Sequence, residues 1–225
     1  MQKYKLKTKI AAVAAAASIL VPASFAFATG TSNFQQTINP GTLATGIVDG
    51  SYVAVGSPSV TMSAATFAFT CQTVTGTFGT SGQKIYIVNP DAADNGWTLT
   101  LAASAATDVW NGVTSTYDFN DPTSSGCADG ADADSIGGQM TVNPAAATLA
   151  VGACASCTTS NISKGSSTAY NQGTTNNITL LTAAASSNDV GDWTLTGVGI
   201  SQTLPAEQAA ASDYNINMVL TVTAS

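Results

Sequence analysis

In the stretch DNGWTLTL (94–101), the turn signal Asn-Gly is followed by large apolar side chains that alternate with threonines. Successive side chains of a β-strand point to opposite faces, so this alternation predicts a strand with one buried face. The tetrapeptide Trp-Thr-Leu-Thr recurs at 193–196, and each copy would place a tryptophan on the inner face of a sheet. The residues that would share the buried faces are Trp97, Leu99, Leu101, Trp193 and Leu195.

Other segments repeat the two-residue period. KIYIV (84–88) and the C-terminal stretch from Tyr214 to Thr223 alternate, and TFAFT (66–70) would turn both phenylalanines inward. Asn-Pro, Asp-Gly and Asn-Gly pairs separate these segments, while PAEQAAA (205–211) fits a helical turn or a loop equally well. The pattern predicts an all-β fold, an antiparallel β-sandwich of Ig-like or Greek-key type with long loops.

The first 28 residues have the pattern of a secretory signal peptide. Four lysines lie within residues 1–9, an apolar run covers 10–22, and an Ala-Phe-Ala site ends at Ala28. A run of about 13 apolar residues is shorter than the roughly 20 that a membrane-spanning helix needs. We therefore expect residues 1–28 to be removed, leaving 29–225 as a single β-sandwich domain outside the cell, without membrane insertion.

Removal of the signal peptide would leave Lys84 and Lys164 as the only basic side chains, against thirteen acidic residues. The net charge of the remaining chain would be −11, and the sequence contains neither arginine nor histidine. Binding to phosphate needs clustered lysine or arginine, so this charge balance argues against nucleic acid and anionic lipid as partners.

The four cysteines indicate an oxidising compartment. An even number in an exported chain predicts two disulfides, with three pairings open among Cys71, Cys127, Cys154 and Cys157. The spacing Cys154-Ala-Ser-Cys157 also fits a redox or metal motif. The surrounding Gly, Ala, Ser and Thr residues and the absence of histidine favour structural disulfides.

CADGADADSIGG (127–138) concentrates carboxylates in a glycine-rich segment. Asp129, Asp132 and Asp134, with Asp121 nearby, offer the oxygen ligands that a hard cation such as Ca²⁺ prefers. Like charges this close repel one another unless a cation neutralises them. The sequence therefore predicts a calcium site formed by these carboxylates, and the alternative is a solvated acidic loop.

Enzymatic activity is not expected. Without histidine, neither Ser-His-Asp nor Cys-His catalysis is available, and Glu207 is the sole glutamate. A binding function would use exposed rings on which sugars stack, and Trp110, in the polar turn Trp-Asn-Gly, is the first candidate. The other aromatic candidates are Tyr52, Tyr86, Tyr117 and Tyr170.

FQQTINPGTL (34–43), GWTLTL (96–101) and DWTLTGVGI (192–200) together resemble the WxL-domain family of bacterial cell-surface proteins. The resemblance assigns the WxL-like motifs to Trp97, Leu99, Trp193 and Leu195. It implies a secreted, mostly β protein that associates non-covalently with the cell wall, with peptidoglycan or other surface proteins as partners. The alternative is a structural subunit of a fibre or surface layer, which would self-assemble by β-strand complementation through residues 29–39.

Overall fold

The computed structural model describes residues 33–91, 95–121, 127–128, 130, 136–185 and 190–225. Regular structure within these ranges consists of β-strands, and the pairings between them are antiparallel. The strands are β1 Ala44–Val48, β2 Gln72–Phe78, β3 Lys84–Asn89, β4 Trp97–Ala103, β5 Trp110–Asn111, β6 Thr116–Tyr117, β7 Gln139–Asn143, β8 Thr148–Val151, β9 Ile162–Lys164, β10 Thr168–Ala169, β11 Asn177–Ala183, β12 Gly191–Thr196, β13 Val198–Leu204 and β14 Met218–Ala224.

Most strands belong to three four-stranded sheets. Sheet 1 has the order β1-β3-β12-β8, sheet 2 the order β10-β7-β13-β2, and sheet 3 the order β14-β4-β11-β9, while β5 and β6 form a separate pair. The prediction of an all-β, antiparallel sandwich is confirmed. The Ig-like or Greek-key subtype stays a prediction.

The apolar residues of the alternating segments form the core, as the sequence predicts. Ile85 and Ile87 of β3 are fully buried, and in β12 they pair with Leu195 and Trp193. In sheet 3, Trp97, Leu99 and Leu101 of β4 are at most 2% exposed. One continuous cluster of buried apolar side chains includes residues from all three sheets.

Gly197 separates β12 from β13, so that two consecutive strands belong to different sheets. Its φ of +80° lies in the left-handed region, which a residue with a Cβ adopts only at a cost. Residues 191–196 therefore pair within sheet 1, and residues 198–204 pair within sheet 2.

Two local expectations differ from the structure, and a third is decided between its alternatives. Residues 66–70 form no strand, and Phe67 and Phe69 are exposed and contact each other edge to face instead of a neighbouring strand. The alternation would place Thr194 on the face opposite Trp193, in solvent, but Thr194 is buried in β12, where it pairs with Tyr86 of β3 and Ala150 of β8. Of the two alternatives for residues 205–211, a helical turn or a loop, the structure has the loop, with Glu207 at a φ of 60°.

The chain divides into two units, Met1–Ile38 and Asn39–Ser225. The second unit holds all fourteen strands. In the first unit, residues 33–38 are described and form no strand, whereas the predicted signal peptide, residues 1–28, lies outside the described residues. Within the described ranges there is no helix with the length and hydropathy that a membrane span requires.

Candidate functional site

The two WxL-like motifs meet in the core. Trp97 of sheet 3 and Trp193 of sheet 1 are fully buried, and their ring centroids lie 5.6 Å apart at an interplanar angle of 41°. Leu99 and Leu195 are fully buried beside them. The Trp193 indole Nε1 donates a hydrogen bond of 2.8 Å to the Thr158 carbonyl. These four side chains are therefore structural and present no surface to a ligand.

Trp110 is also in the interior, which contradicts its predicted role as an exposed sugar-stacking residue. Its ring stacks on Tyr117 at 5.6 Å, and its Nε1 donates a 3.0 Å hydrogen bond to the Gln202 side chain. Gln202 is fully buried and donates in turn to the Asp118 carbonyl at 2.9 Å. The polar turn keeps Asn111 exposed while its tryptophan lies in the interior.

Only two of the tyrosine candidates keep solvent exposure. Tyr117 and Tyr170 are buried, whereas Tyr52 is 36% exposed and lies 5.8 Å from the half-buried ring of Tyr86. The Lys84 ammonium lies 5.0 Å from the centre of the Tyr52 ring. Burial, together with a hydrogen bond to the Asp192 carboxylate, raises the pKa of Tyr86 to about 12.

The cysteines form two disulfides, as the sequence predicts. Cys71 pairs with Cys127 across 56 positions, and Cys154 pairs with Cys157 across three. The long bridge ties the start of β2 to the segment that leads into the acidic loop. The short bridge closes the loop after β8. The structure thus selects one of the three pairings that the sequence left open.

A buried carboxylate holds the short-bridge loop in place. Asp192 is 5% exposed and accepts hydrogen bonds from the backbone N–H groups of Ala153 and Cys154, both at 2.7 Å. The Tyr86 hydroxyl donates a third bond at 2.8 Å. Charge-assisted hydrogen bonds of this kind are stronger than neutral ones, so Asp192 fastens the loop to β12 and β3.

Cys154, Cys157 and Asp192 also bring possible metal-ligand atoms within 4.8 Å of one another. Metal coordination by cysteine needs the thiolate, and both sulfurs are committed to the disulfide. With the bridge formed, the arrangement therefore serves to hold the loop.

The predicted calcium ligands Asp129, Asp132 and Asp134 lie outside the described residues. Asp121 is described and fully buried, and its carboxylate accepts a 2.9 Å hydrogen bond from the Gly130 backbone. This contact places Asp121 beside the backbone of the acidic segment. Calcium binding there stays a prediction.

A groove of about 870 Å³ lies on the outward face of sheet 2. It crosses β2, β13 and β7, and these strands position Thr75, Thr77, Thr141, Asn143 and Ser201. The other polar side chains of its lining lie on the connecting segments. Hydroxyl groups line it: Ser59, Thr61, Ser63, Thr75, Thr77, Thr80, Thr141, Ser167 and Ser201. The side-chain amides of Gln83 and Asn143 complete the polar lining.

No ionisable side chain is among the described residues that line this groove. Its hydroxyl and amide groups both donate and accept hydrogen bonds, which suits a neutral ligand rich in the same groups. Sequence reasoning missed the site. The available signal was the alternation Thr73-Val-Thr75-Gly-Thr77, whose threonines share the outward face of β2.

Comparisons with protein families, curated proteins and solved structures found no match to this chain. The WxL resemblance and its implications therefore remain predictions.

Proposed function

We propose that this chain is an exported, non-enzymatic surface protein that associates non-covalently with the cell wall by binding glycan chains in the groove of sheet 2. The observation that carries the proposal is the lining of that groove. Nine hydroxyl side chains and two amides line the groove, and none of its described lining residues carries a charge. A sugar polymer carries hydroxyl groups that can both donate to and accept from these side chains.

The shape and chemistry of the groove favour binding over catalysis. Glycoside hydrolysis commonly uses a pair of carboxyl groups flanking the scissile bond. Among the described residues, the groove has neither a carboxylate nor another general acid or base. A bound glycan would be held by hydrogen bonds and left intact.

Two further features support a role outside the cell. The two disulfides are typical of proteins that fold in an oxidising compartment. The predicted signal peptide would direct the chain there, and its removal would leave a protein of net charge −11. An acidic protein repels anionic polymers. The described lining of the groove is uncharged, so a neutral glycan could bind there without electrostatic repulsion.

Co-sedimentation with purified peptidoglycan tests the proposal. Thr75→Val/Thr77→Val removes two exposed groove hydroxyls while keeping the β-branched shape. Thr98→Val/Thr100→Val makes the same change on β4, outside the groove, and serves as the control. We expect the groove variant to lose most of its binding and the control to sediment like the parent. Equal sedimentation of all three proteins, or no sedimentation of the parent, would refute glycan binding in this groove.

A further inference from the structure

The loop between β8 and β9 brings two cysteine sulfurs and one buried carboxylate together. The Sγ atoms of Cys154 and Cys157 and a carboxylate oxygen of Asp192 lie within 4.8 Å of one another. Two cysteines separated by two residues have the spacing of the cysteine pairs in zinc sites. Asp192 belongs to β12, so it adds an oxygen from a different part of the chain. Once the bridge is opened, all three side chains can act as metal ligands.

Hydrogen bonds that do not involve sulfur fix both ends of this loop. At its start, the Gly152 N–H donates to the Asp192 backbone carbonyl at 2.8 Å, beside the two N–H bonds to the Asp192 carboxylate. At its end, the Thr158 carbonyl accepts the 2.8 Å bond from the Trp193 indole. Opening the bridge therefore leaves the two cysteines side by side against β12, in position for a metal.

The Asp192 carboxylate can accept one more partner. An ionised carboxylate accepts at about four lone-pair positions. Within the described part of the chain, two backbone N–H groups and the Tyr86 hydroxyl use three of them. These bonds also orient the carboxylate, as hydrogen bonds to ligating carboxylates do in metal sites. Gly191 permits the close approach of the loop, because a Cβ there would collide with the Cys157 sulfur.

The bridge is accessible to a small reductant. Cys154 and Cys157 are half-buried, and Ala155 and Ser156 between them are exposed. A thiolate of a small dithiol can therefore attack one cysteine sulfur and form a mixed disulfide, and its second thiolate then releases that sulfur. The dithiol loses two electrons and leaves as a disulfide, while each cysteine sulfur takes up one proton. A newly made chain is in the same reduced state before its bridge forms.

We infer that opening the Cys154–Cys157 bridge turns this loop into a zinc site. The two sulfurs and the Asp192 carboxylate supply three ligands, and water completes the tetrahedron. Binding releases the two thiol protons, because the ligands are thiolates. Thiolate ligands select Zn²⁺ over Ca²⁺, which takes oxygen ligands. The redox state of the surroundings then decides whether the chain carries zinc, and this site does not depend on glycan binding.

Cobalt binding followed by absorbance tests the inference, because Co²⁺ is a coloured substitute for Zn²⁺. Protein reduced with a phosphine should bind one Co²⁺ with the absorption of cobalt–thiolate bonds, and excess Zn²⁺ should remove this absorption. The oxidised protein and Cys154→Ser/Cys157→Ser should lack it, whereas reduced Cys71→Ser/Cys127→Ser should keep it. No such absorption from the reduced parent, or absorption that survives the loss of Cys154 and Cys157, would overturn the inference.

Asp192→Asn tests the third ligand. The amide has the same size but no charge, so the zinc affinity of the reduced protein should fall about tenfold or more. Asp49→Asn is the matched control, because the Asp49 carboxylate also accepts two backbone N–H bonds. It should bind zinc like the parent. Equal affinities of the two variants would show that Asp192 is not a ligand. Tryptophan fluorescence, which reports the buried Trp97–Trp193 pair, verifies that each variant is folded.

X-ray absorption of the zinc-loaded, reduced parent needs no variant. It should find two sulfur neighbours at about 2.3 Å and two oxygen neighbours at about 2.0–2.2 Å. A shell of four sulfurs, from two chains or from both cysteine pairs, or a shell of oxygens alone, would overturn the proposed site.

Discussion

Trp97 and Trp193, the first residues of the repeated tetrapeptide, pack against each other between sheet 3 and sheet 1, with ring centroids 5.6 Å apart. Both are fully buried, so this contact joins two sheets whose backbones share no ladder among the described strands. Each copy of the repeated tetrapeptide therefore supplies one of the two tryptophans of a single packing contact.

Replacing either tryptophan by alanine should destabilise the protein by about 3–5 kcal/mol, because each change leaves a cavity at the centre of the core. Urea unfolding of Trp97→Ala and Trp193→Ala measures the loss. Their effects should not add in the double variant, since each single change already removes the contact between the rings. Unfolding midpoints close to that of the parent would show that the contact contributes little.

The two disulfides should contribute unequally to stability. The entropy of closing a loop grows with its length, so in this description the Cys71–Cys127 bridge contributes roughly 4 kcal/mol and the Cys154–Cys157 bridge about 2 kcal/mol. Replacing each pair by serine and measuring chemical unfolding separates them. Alkylation of the folded parent should find no free thiol. A larger loss on removing the short bridge would instead point to the contacts of its loop as the source of stability.

Stability should fall at alkaline pH. Burial raises the pKa of Tyr86, Tyr117 and Tyr170 above the usual value of 10.0, and that of Tyr86 reaches about 12 with help from Asp192. A folded-state pKa above the unfolded value favours the neutral form. This stabilisation is complete below about pH 10 and is lost as the pH rises through the folded pKa.

Tyr86→Phe removes one of these groups, so the variant should lose less stability than the parent between about pH 10 and pH 12. Urea unfolding across this range, with tyrosinate absorbance recorded in parallel, measures the difference. Tyr52→Phe changes the neighbouring exposed ring and serves as the control. Identical pH profiles for Tyr86→Phe and the parent would contradict the assigned role of Tyr86.

Calcium should stabilise the chain if the acidic loop binds it. An affinity on the order of 10⁻⁴–10⁻³ M is typical of extracellular sites. At one hundred times the dissociation constant the gain would be roughly 2.7 kcal/mol. Thermal unfolding with millimolar calcium, and again with chelator, should show a higher midpoint for the parent and no change for Asp132→Ala/Asp134→Ala. If calcium does not change the unfolding midpoint of the parent, the result would favour the solvated loop.

The sequence predicts the parts of this fold that depend on local alternation. Trp97, Leu99, Trp193 and Leu195 point inward because the two-residue period leaves them no other face in a half-buried strand. The even cysteine count predicts two bridges, but their pairing depends on which loops the fold brings together. Residues 71 and 127 are neighbours only in the folded chain.

Other features depend on contacts that no local pattern encodes. Trp110 lies in a polar turn, and its burial follows from Gln202, which is 92 positions away. Gly197 resembles an ordinary turn glycine in the sequence, yet it transfers one run of chain from sheet 1 to sheet 2. The hydroxyl-lined groove forms only where β2, β7 and β13, which are far apart in the sequence, lie side by side. The threonines of β2 alone therefore could not predict it.

Chemical-shift mapping with soluble fragments of purified peptidoglycan tests the central claim, glycan binding in the groove of sheet 2, most directly. The account predicts that the amide signals of Thr75, Thr77, Thr141 and Ser201 shift with a common saturation curve, while those of Thr98 and Thr221 on the outer face of sheet 3 stay in place. Saturable shifts confined to Tyr52 and Tyr86, or the absence of saturable shifts anywhere, would contradict it.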